Sequence, residues 1–261
     1  VAKQRLDQLL VDRGLFETRS RAAAAVLAGE VLIGAGRERA AKAGQPVSDD
    51  VLLDVVNPMP YVSRGGIKLA NALDGFGLDV AGRRCLDVGA STGGFTDCLL
   101  QRGAVHVTAL DVAYGELSWK LREDPRVTPV ERCNARSLDP GRLPYPPDLI
   151  VMDISFISLT KVLGAVLNTA APDYDCLAMV KPQFEVGRER VGKGGVVRDA
   201  AVRRDALVAV GRAGLGLGAR VGGFASSGLP GPKGNRETFL WLRSGGDSVD
   251  IEAAALAVEP S

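Results

Sequence analysis

The stretch Leu86-Asp87-Val88-Gly89-Ala90-Ser91-Thr92-Gly93-Gly94-Phe95-Thr96 decides the fold. It reads as the end of a buried strand, a glycine turn and the opening of a helix, an arrangement that lets backbone approach a ligand closely. Asp111 ends the next apolar run about twenty residues on, a position that suits the ribose of NAD as well as that of S-adenosylmethionine. Three details favour S-adenosyl-L-methionine: the spacing is not GxGxxG, Asp87 can face a cationic ligand, and Asn134 ends a third strand where an adenine could be held. The expected cofactor contacts are Asp87, Gly89, Ala90, Ser91, Thr92, Gly93, Gly94, Phe95, Asp111, Val112, Asn134, Ala135 and Asp153. Two structural roles compete with this reading: Asp111 as a helix cap, and Asp87 as a buried acid that ties down the glycine loop through backbone N–H groups.

Outward from the loop, short apolar strands alternate with helical segments. The strands are expected at Cys85 to Val88, Val105 to Leu110, Val127 to Arg132, Leu149 to Met152 and Leu177 to Val180. Such alternation argues for a parallel sheet covered on both faces. A last pair, Arg220 to Ala225 and Thr238 to Leu242, is joined by a Gly/Pro-rich loop without a helix and is expected as an antiparallel hairpin. The fold class is therefore α/β, with a Rossmann-like class I methyltransferase sheet, and a small α+β domain is expected ahead of it at the N-terminus. The four cysteines, Cys85, Cys98, Cys133 and Cys176, are far apart and form no CxxC pair, so they read as reduced and mostly buried. His106 is the only histidine and lies inside an apolar strand, which argues against a Ser-His-Asp triad with a spare or a two-histidine metal site. No metal is expected.

A chain of 261 residues with 46% hydrophobic content has material for one sizeable domain and a small one. No segment approaches the roughly 20 apolar residues of a membrane span, and the first residues lack the apolar core of a secretory signal. A soluble cytoplasmic protein is expected. The net charge is only +1, but basic residues outnumber acidic ones within residues 1–42, which suggests an anionic partner there. That region shows one amphipathic helix from about Arg5 to Arg13, stopped by Gly14, and another from about Thr18 to Ala28, stopped by Gly29. Strands are expected at Val31 to Ile33 and Val51 to Val56. The domains are expected at residues 1–56, 57–62 as a linker containing Pro58 and Pro60, 63–247 and a tail at 248–261.

The segment resembles an S4 domain, a small RNA-binding module, through Arg5-Leu6-Asp7, Leu10, Gly14-Leu15, Thr18-Arg19, Ala22, Gly29 and Val31. It departs from the family at Gly34-Ala35, where Asn-Gly is usual, and at Lys42-Ala43-Gly44, where Lys-Pro-Gly is usual. The resemblance implies phosphate contacts from Lys3, Arg5, Arg19, Arg21 and Lys42, which fix position without reading sequence.

Asp153 closes the fourth expected strand and Lys181 the fifth, and in a parallel sheet such strand ends face the ligand crevice. Lys68 lies in Val62-Ser63-Arg64-Gly65-Gly66-Ile67-Lys68-Leu69, and Glu237 lies in Gly231-Pro232-Lys233-Gly234-Asn235-Arg236-Glu237. The order Lys, Asp, Lys, Glu resembles the catalytic tetrad of the heat-shock type of RNA ribose 2′-O-methyltransferases. With Asp-Ile-Ser-Phe-Ile-Ser-Leu from Asp153 and Val-Lys-Pro-Gln-Phe-Glu-Val-Gly from Val180, the whole chain is similar to the TlyA family, bacterial rRNA 2′-O-methyltransferases also labelled haemolysins. The resemblance implies methylation of cytidine ribose in 16S or 23S rRNA or both, with ribosomal subunits as partners and an effect on capreomycin and viomycin sensitivity.

A ribose hydroxyl is a poor nucleophile, so the expected work is deprotonation and alignment. Lys181 is expected to accept the proton or stabilise the alkoxide, with Asp153 and Glu237 orienting the lysines. Arg64, Lys193 and Arg236 are expected to support RNA binding. Competing readings are a nicotinamide oxidoreductase, an S4-carrying ribosome factor without catalysis, and a cytolysin.

Overall fold

A computed structural model describes residues 3–27, 29–56, 59–231 and 233–260. The chain forms two compact units, Val1–Pro60 and Tyr61–Ser261.

In the first unit the elements are β1 (Lys3–Arg5), α1 (Leu6–Asp12), α2 (Arg19–Leu27), β2 (Val31–Ile33), β3 (Glu38–Arg39), β4 (Pro46–Ser48) and β5 (Leu53–Val55). β1 pairs antiparallel with β4, while β2 lies between β3 and β5, antiparallel to both. Leu6, Leu9 and Leu10 from α1 meet Ala22, Ala25 and Val26 from α2 in a small core. Both helices stop near the expected glycines, Gly14 and Gly29, whose φ values are +70° and +72°. Thr18 Oγ1 accepts the Arg21 N–H at 3.3 Å, an N-terminal cap. Ala28, the expected end of α2, lies outside the described residues, as do Asn57 and Pro58 of the expected linker.

The second unit follows as α3 (Arg64–Phe76), β6 (Arg84–Val88), α4 (Gly94–Gln101), β7 (His106–Leu110), α5 (Trp119–Arg122), β8 (Val127–Val130), β9 (Leu149–Met152), α6 (Leu163–Leu167), β10 (Asp175–Val180), α7 (Pro182–Glu185), α8 (Ala200–Gly216), β11 (Arg220–Ser226), β12 (Thr238–Arg243) and α9 (Ile251–Val258). Seven strands make one sheet in the order β11-β12-β10-β9-β6-β7-β8. The five from β10 to β8 are parallel, and β12 runs antiparallel to both β10 and β11.

Alternate strand residues feed two cores. Leu86, Val88, Ile150, Met152 and Val180 face Leu163, Leu207, Val210 and Ile251. Cys85, Val107, Leu149, Val151 and Met179 face Leu69, Leu73 and Leu99. Burial on both faces explains why these strands read as continuous apolar runs, each large side chain contributing roughly 1.5–3 kcal/mol. All four cysteines are buried and free, and His106 Nε2 meets Thr128 Oγ1 at 2.8 Å across neighbouring strands.

Three expectations need correction. Tyr61 and Val62 are no linker: Val62 is buried and its N–H donates to Asp97 Oδ2 at 2.8 Å. Strand β8 ends at Val130, and Arg132 turns the chain with φ +53°, so Asn134 lies beyond the strand rather than at its end. Residues 248–261 are no mere tail: Asp250 caps α9 through the Ala253 N–H, and Ile251 and Ala255 are buried. The alanine-rich run hides this helix because small residues carry little amphipathic signal.

Candidate active site

From β6 the chain leaves to β7 and β8 on one side, then returns to β9 and β10 on the other. Strand order therefore reverses between β6 and β9, the place where parallel α/β sheets bind ligands. Gly89 stands there. Its φ is +86°, and a Cβ on it would lie 2.5 Å from the Asp153 carbonyl oxygen, so only glycine lets the two strand ends come this close.

Gly93, with φ +94°, packs against Leu121, where a Cβ would approach to 2.3 Å. The loop between them folds back on β7. Gly89 and Ala90 both donate their N–H to the Leu110 carbonyl, at 2.8 and 3.1 Å. Asp111 accepts the Ser91 N–H at 2.7 Å and the Ala113 N–H at 2.8 Å.

A cavity of about 490 Å³ opens over this loop, lined by Gly89, Ser91, Asp111, Val112, Asn134, Ala135 and Asp153 among the expected contacts. Its size falls within the range of small-molecule sites. Glu116, Arg136, Ser155 and Phe156 also line it and were not expected.

Six expected contacts are absent from the wall. Asp87 is fully buried, and its Oδ2 accepts the Thr96 N–H at 2.9 Å and the Thr96 hydroxyl at 2.7 Å. It ties the loop to α4 rather than facing a ligand. Burial pushes its carboxyl up to about 7, against the pull of the Thr96 hydroxyl. Phe95 is buried with its ring 5.8 Å from that of Phe239. Gly93 and Gly94 shape the helix start, and the Thr92 carbonyl accepts the Ser118 N–H at 3.2 Å. Ala90 lines only a small neighbouring recess shared with Ser91 and Asp111.

On the other side of Asp153 lies a second cavity of about 480 Å³, whose wall contains Lys68, Asp153, Lys181 and Glu237 together. Ser63 caps α3, which carries Lys68 into this wall. Lys68 donates to Glu237 Oε2, and both residues are buried. Lys181 follows β10 with Pro182 opening α7 behind it. Its Nζ lies 2.5 Å from Asp153 Oδ1 and donates to Ser155 Oγ at 2.8 Å. The two lysines are thus held by separate carboxylates from separate strand ends.

Ser155 and Phe156 also stand in both cavity walls. Phe156 is 90% exposed and takes φ +68°; an apolar residue after a strand gives no sequence signal for such a pose. Gln183 Oε1, on the second wall, is buried without a hydrogen-bond partner among the described residues. Asn235 braces that wall, accepting the Val197 N–H at 2.9 Å and donating to the Gly195 carbonyl at 2.8 Å. Pro232 of the quoted motif lies outside the described residues.

The expected RNA contacts are scattered over the surfaces of their units. Arg64 donates to the Pro230 carbonyl at 3.0 Å, Lys193 is exposed, and Arg236 reaches Glu259 at 3.4 Å. In the first unit Lys3 and Lys42 are exposed, Arg5 and Arg19 both pair with Asp7, and half-buried Arg21 pairs with Glu17. The Arg5 bond holds the Asp7 carboxyl down at about 2. No helix among the described residues is long and apolar enough to cross a membrane.

Known proteins match this chain in sequence and in fold. The FtsJ-like methyltransferase family matches residues 61–244. The 16S/23S rRNA (cytidine-2′-O)-methyltransferase TlyA of Mycobacterium tuberculosis is 51% identical over 249 residues, 93% of this chain and 90% of that protein. The 23S rRNA (cytidine-2′-O)-methyltransferase TlyA of Campylobacter jejuni is 34% identical, with 75% of each chain covered. A solved structure named as a hemolysin, from Streptococcus thermophilus, superposes with a TM-score of 0.76 at 38% identity, covering 98% of this chain and 95% of that one. The nicotinamide reading of the glycine loop is thereby set aside, and the chain belongs to the TlyA family of FtsJ-like methyltransferases.

Proposed function

We propose that the chain methylates the ribose 2′-hydroxyl of cytidine in ribosomal RNA, with Lys68, Asp153, Lys181 and Glu237 as the catalytic set. The observation that carries this reading is the second cavity: two lysines, each held by its own carboxylate, share a wall with the glycine-loop cavity through Asp153.

The first cavity fits S-adenosyl-L-methionine. Gly89 removes the side chain that would block the approach to Asp153, and Asp111, Asn134 and Glu116 offer acceptors to hydroxyl, amine and cationic groups. When bound, the cofactor supplies a methyl group already activated on sulfonium. What remains is alignment and charge control. Lys181, fixed by Asp153 and Ser155, meets the 2′-hydroxyl with N–H donors that stabilise the developing alkoxide, and the released proton passes to the carboxylate of Asp153. Lys68, fixed by Glu237, adds a second cation on the same wall. Phe156 offers an exposed ring on which a nucleobase stacks, an interaction worth roughly 1–3 kcal/mol per base.

The first unit serves as an S4-like RNA-docking domain through Lys3, Arg5, Arg19, Arg21 and Lys42. Arg5 and Arg19 keep the buried Asp7 carboxylate and offer their exposed guanidinium groups to phosphate, while the surface pair of Arg21 with Glu17 is worth up to about 1 kcal/mol and can yield to it. Arg64, Lys193 and Arg236 extend RNA contact on the catalytic unit, and the site of action is the cytoplasm, where ribosomes are made.

Incubating the protein with S-adenosylmethionine and 16S or 23S rRNA, followed by nucleoside mass spectrometry, tests the reaction. The expected product is 2′-O-methylcytidine; a base-methylated nucleoside, or none, overturns the proposal.

A further inference from the structure

Two chain segments leave the parallel ends of β9 and β10 and run side by side for several residues. They are joined by three successive contacts. Lys181 pairs with Asp153 and Ser155, the Phe184 ring lies 5.3 Å from the Phe156 ring, and Glu185 binds the next turn. Glu185 accepts the Ser158 hydroxyl at 2.6 Å on one oxygen and the Leu159 N–H at 2.9 Å on the other. Leu159 is itself buried in the core, so this last contact fixes the loop to a rigid floor.

The loop needs such a fixture. Phe156 holds a left-handed backbone and a phenyl ring that is 90% exposed, two unfavourable features that persist only where the surroundings over-determine them. Its neighbour Phe184 lies on α7, a helix of only four residues that immediately follows Lys181. Glu185 ends the same helix and is absent from the walls of both cavities. It is therefore placed to set the spacing between the two segments without touching what binds in either cavity.

We propose that Glu185 is a positioning residue for methyl transfer, locking the loop after β9 to α7 so that Phe156 and Lys181 keep their separation across the second cavity. The proposal rests on the reading of that cavity as the RNA site. The contact depends on two acceptor atoms, and glutamine can keep both bonds: its Oε1 accepts the Leu159 N–H, and its Nε2 donates to Ser158 Oγ. The Ser158 hydroxyl then turns to Thr160 Oγ1, already 2.7 Å away. Alanine removes both.

The test uses the full chain and steady-state transfer to rRNA, with S-adenosylhomocysteine affinity and thermal midpoint measured on each variant. Glu185→Ala is expected to lower kcat/KM for rRNA roughly ten-fold, through KM, with cofactor affinity changed less than about two-fold, because nucleobase stacking is the interaction lost. Glu185→Gln should restore kcat/KM to within about three-fold of the parent. Because residues that act as a unit are non-additive, adding Glu185→Ala to Phe156→Ala should cost less than about two-fold more.

A Glu185→Ala protein with parental kinetics beside an impaired Phe156→Ala protein overturns the proposal. So do losses that multiply in the double variant, or a loss that follows the thermal midpoint and is not rescued by glutamine. If Phe156→Ala and Lys181→Ala both transfer methyl groups normally, the reading of the cavity falls, and the positioning role with it.

Discussion

The two cavities on either side of Asp153 are built from different materials. The glycine-loop cavity is shaped by backbone: Gly89 admits a close approach, Leu110 and Asp111 collect N–H groups, and buried Asp87 ties the loop to α4. The second cavity is shaped by charged side chains, Lys68 with Glu237 and Lys181 with Asp153, that arrive from four segments. Backbone shape suits holding a common cofactor, because it is fixed before anything binds. Paired charges suit chemistry, because they can respond to a charge that develops during reaction. Damage to the two cavities should therefore differ in kind.

The largest stability effect is expected at the charged cavity. Glu237→Ala leaves the Lys68 ammonium buried without its carboxylate, which should cost about 3–5 kcal/mol in chemical denaturation. The apolar pair Lys68→Met with Glu237→Leu should recover most of that stability while remaining inactive. Recovery of activity along with stability would show that the pair is structural only.

Gly89→Ala comes next. The added Cβ meets the Asp153 carbonyl at 2.5 Å in a backbone conformation that L-residues resist, so a loss of about 1–3 kcal/mol is expected. Cofactor affinity by calorimetry should fall with it, since β6 and β9 must part. An alanine variant that binds S-adenosylhomocysteine as tightly as the parent would remove the distinction between the cavities.

Asp87 gives an effect that depends on pH. Its carboxyl is raised to about 7 by burial, so the folded state favours the protonated form. The corresponding stability is fully present below the ordinary carboxylate range and is lost as pH rises through about 7. Between pH 4 and 7 the parent should lose stability with a slope of at most about 1.4 kcal/mol per pH unit from this group. Asp87→Asn should flatten that slope; an unchanged pH profile would mean that burial does not hold the proton.

The same contrast explains what the sequence revealed. A backbone-shaped site leaves a local trace, because Gly89 and Gly93 must stand together with a strand before them and a helix after them. Asp153 and Lys181 were legible as charges at the ends of apolar strands. Lys68 and Glu237 are far apart in the chain and gained their meaning from family resemblance. Within the glycine motif, residue type alone did not separate wall from support: Gly89 and Ser91 face the cavity, while Asp87 and Phe95 are buried beneath it. Phe156 escaped notice because an exposed ring and a core ring look alike in sequence. Helix α9 escaped because its alanines carry no clear face, and the end of β8 because nothing local marks Arg132 as left-handed.

In the proposed division of labour, the charged cavity performs the chemistry and the backbone cavity holds the cofactor. Lys181→Ala tests it most directly, measured by single-turnover methyl transfer at saturating rRNA and by S-adenosylhomocysteine binding on the same preparation. Methyl transfer should fall roughly 10²–10⁴-fold while cofactor affinity changes less than about two-fold. Transfer at the parental rate, or a loss accounted for by weaker cofactor binding alone, would contradict it.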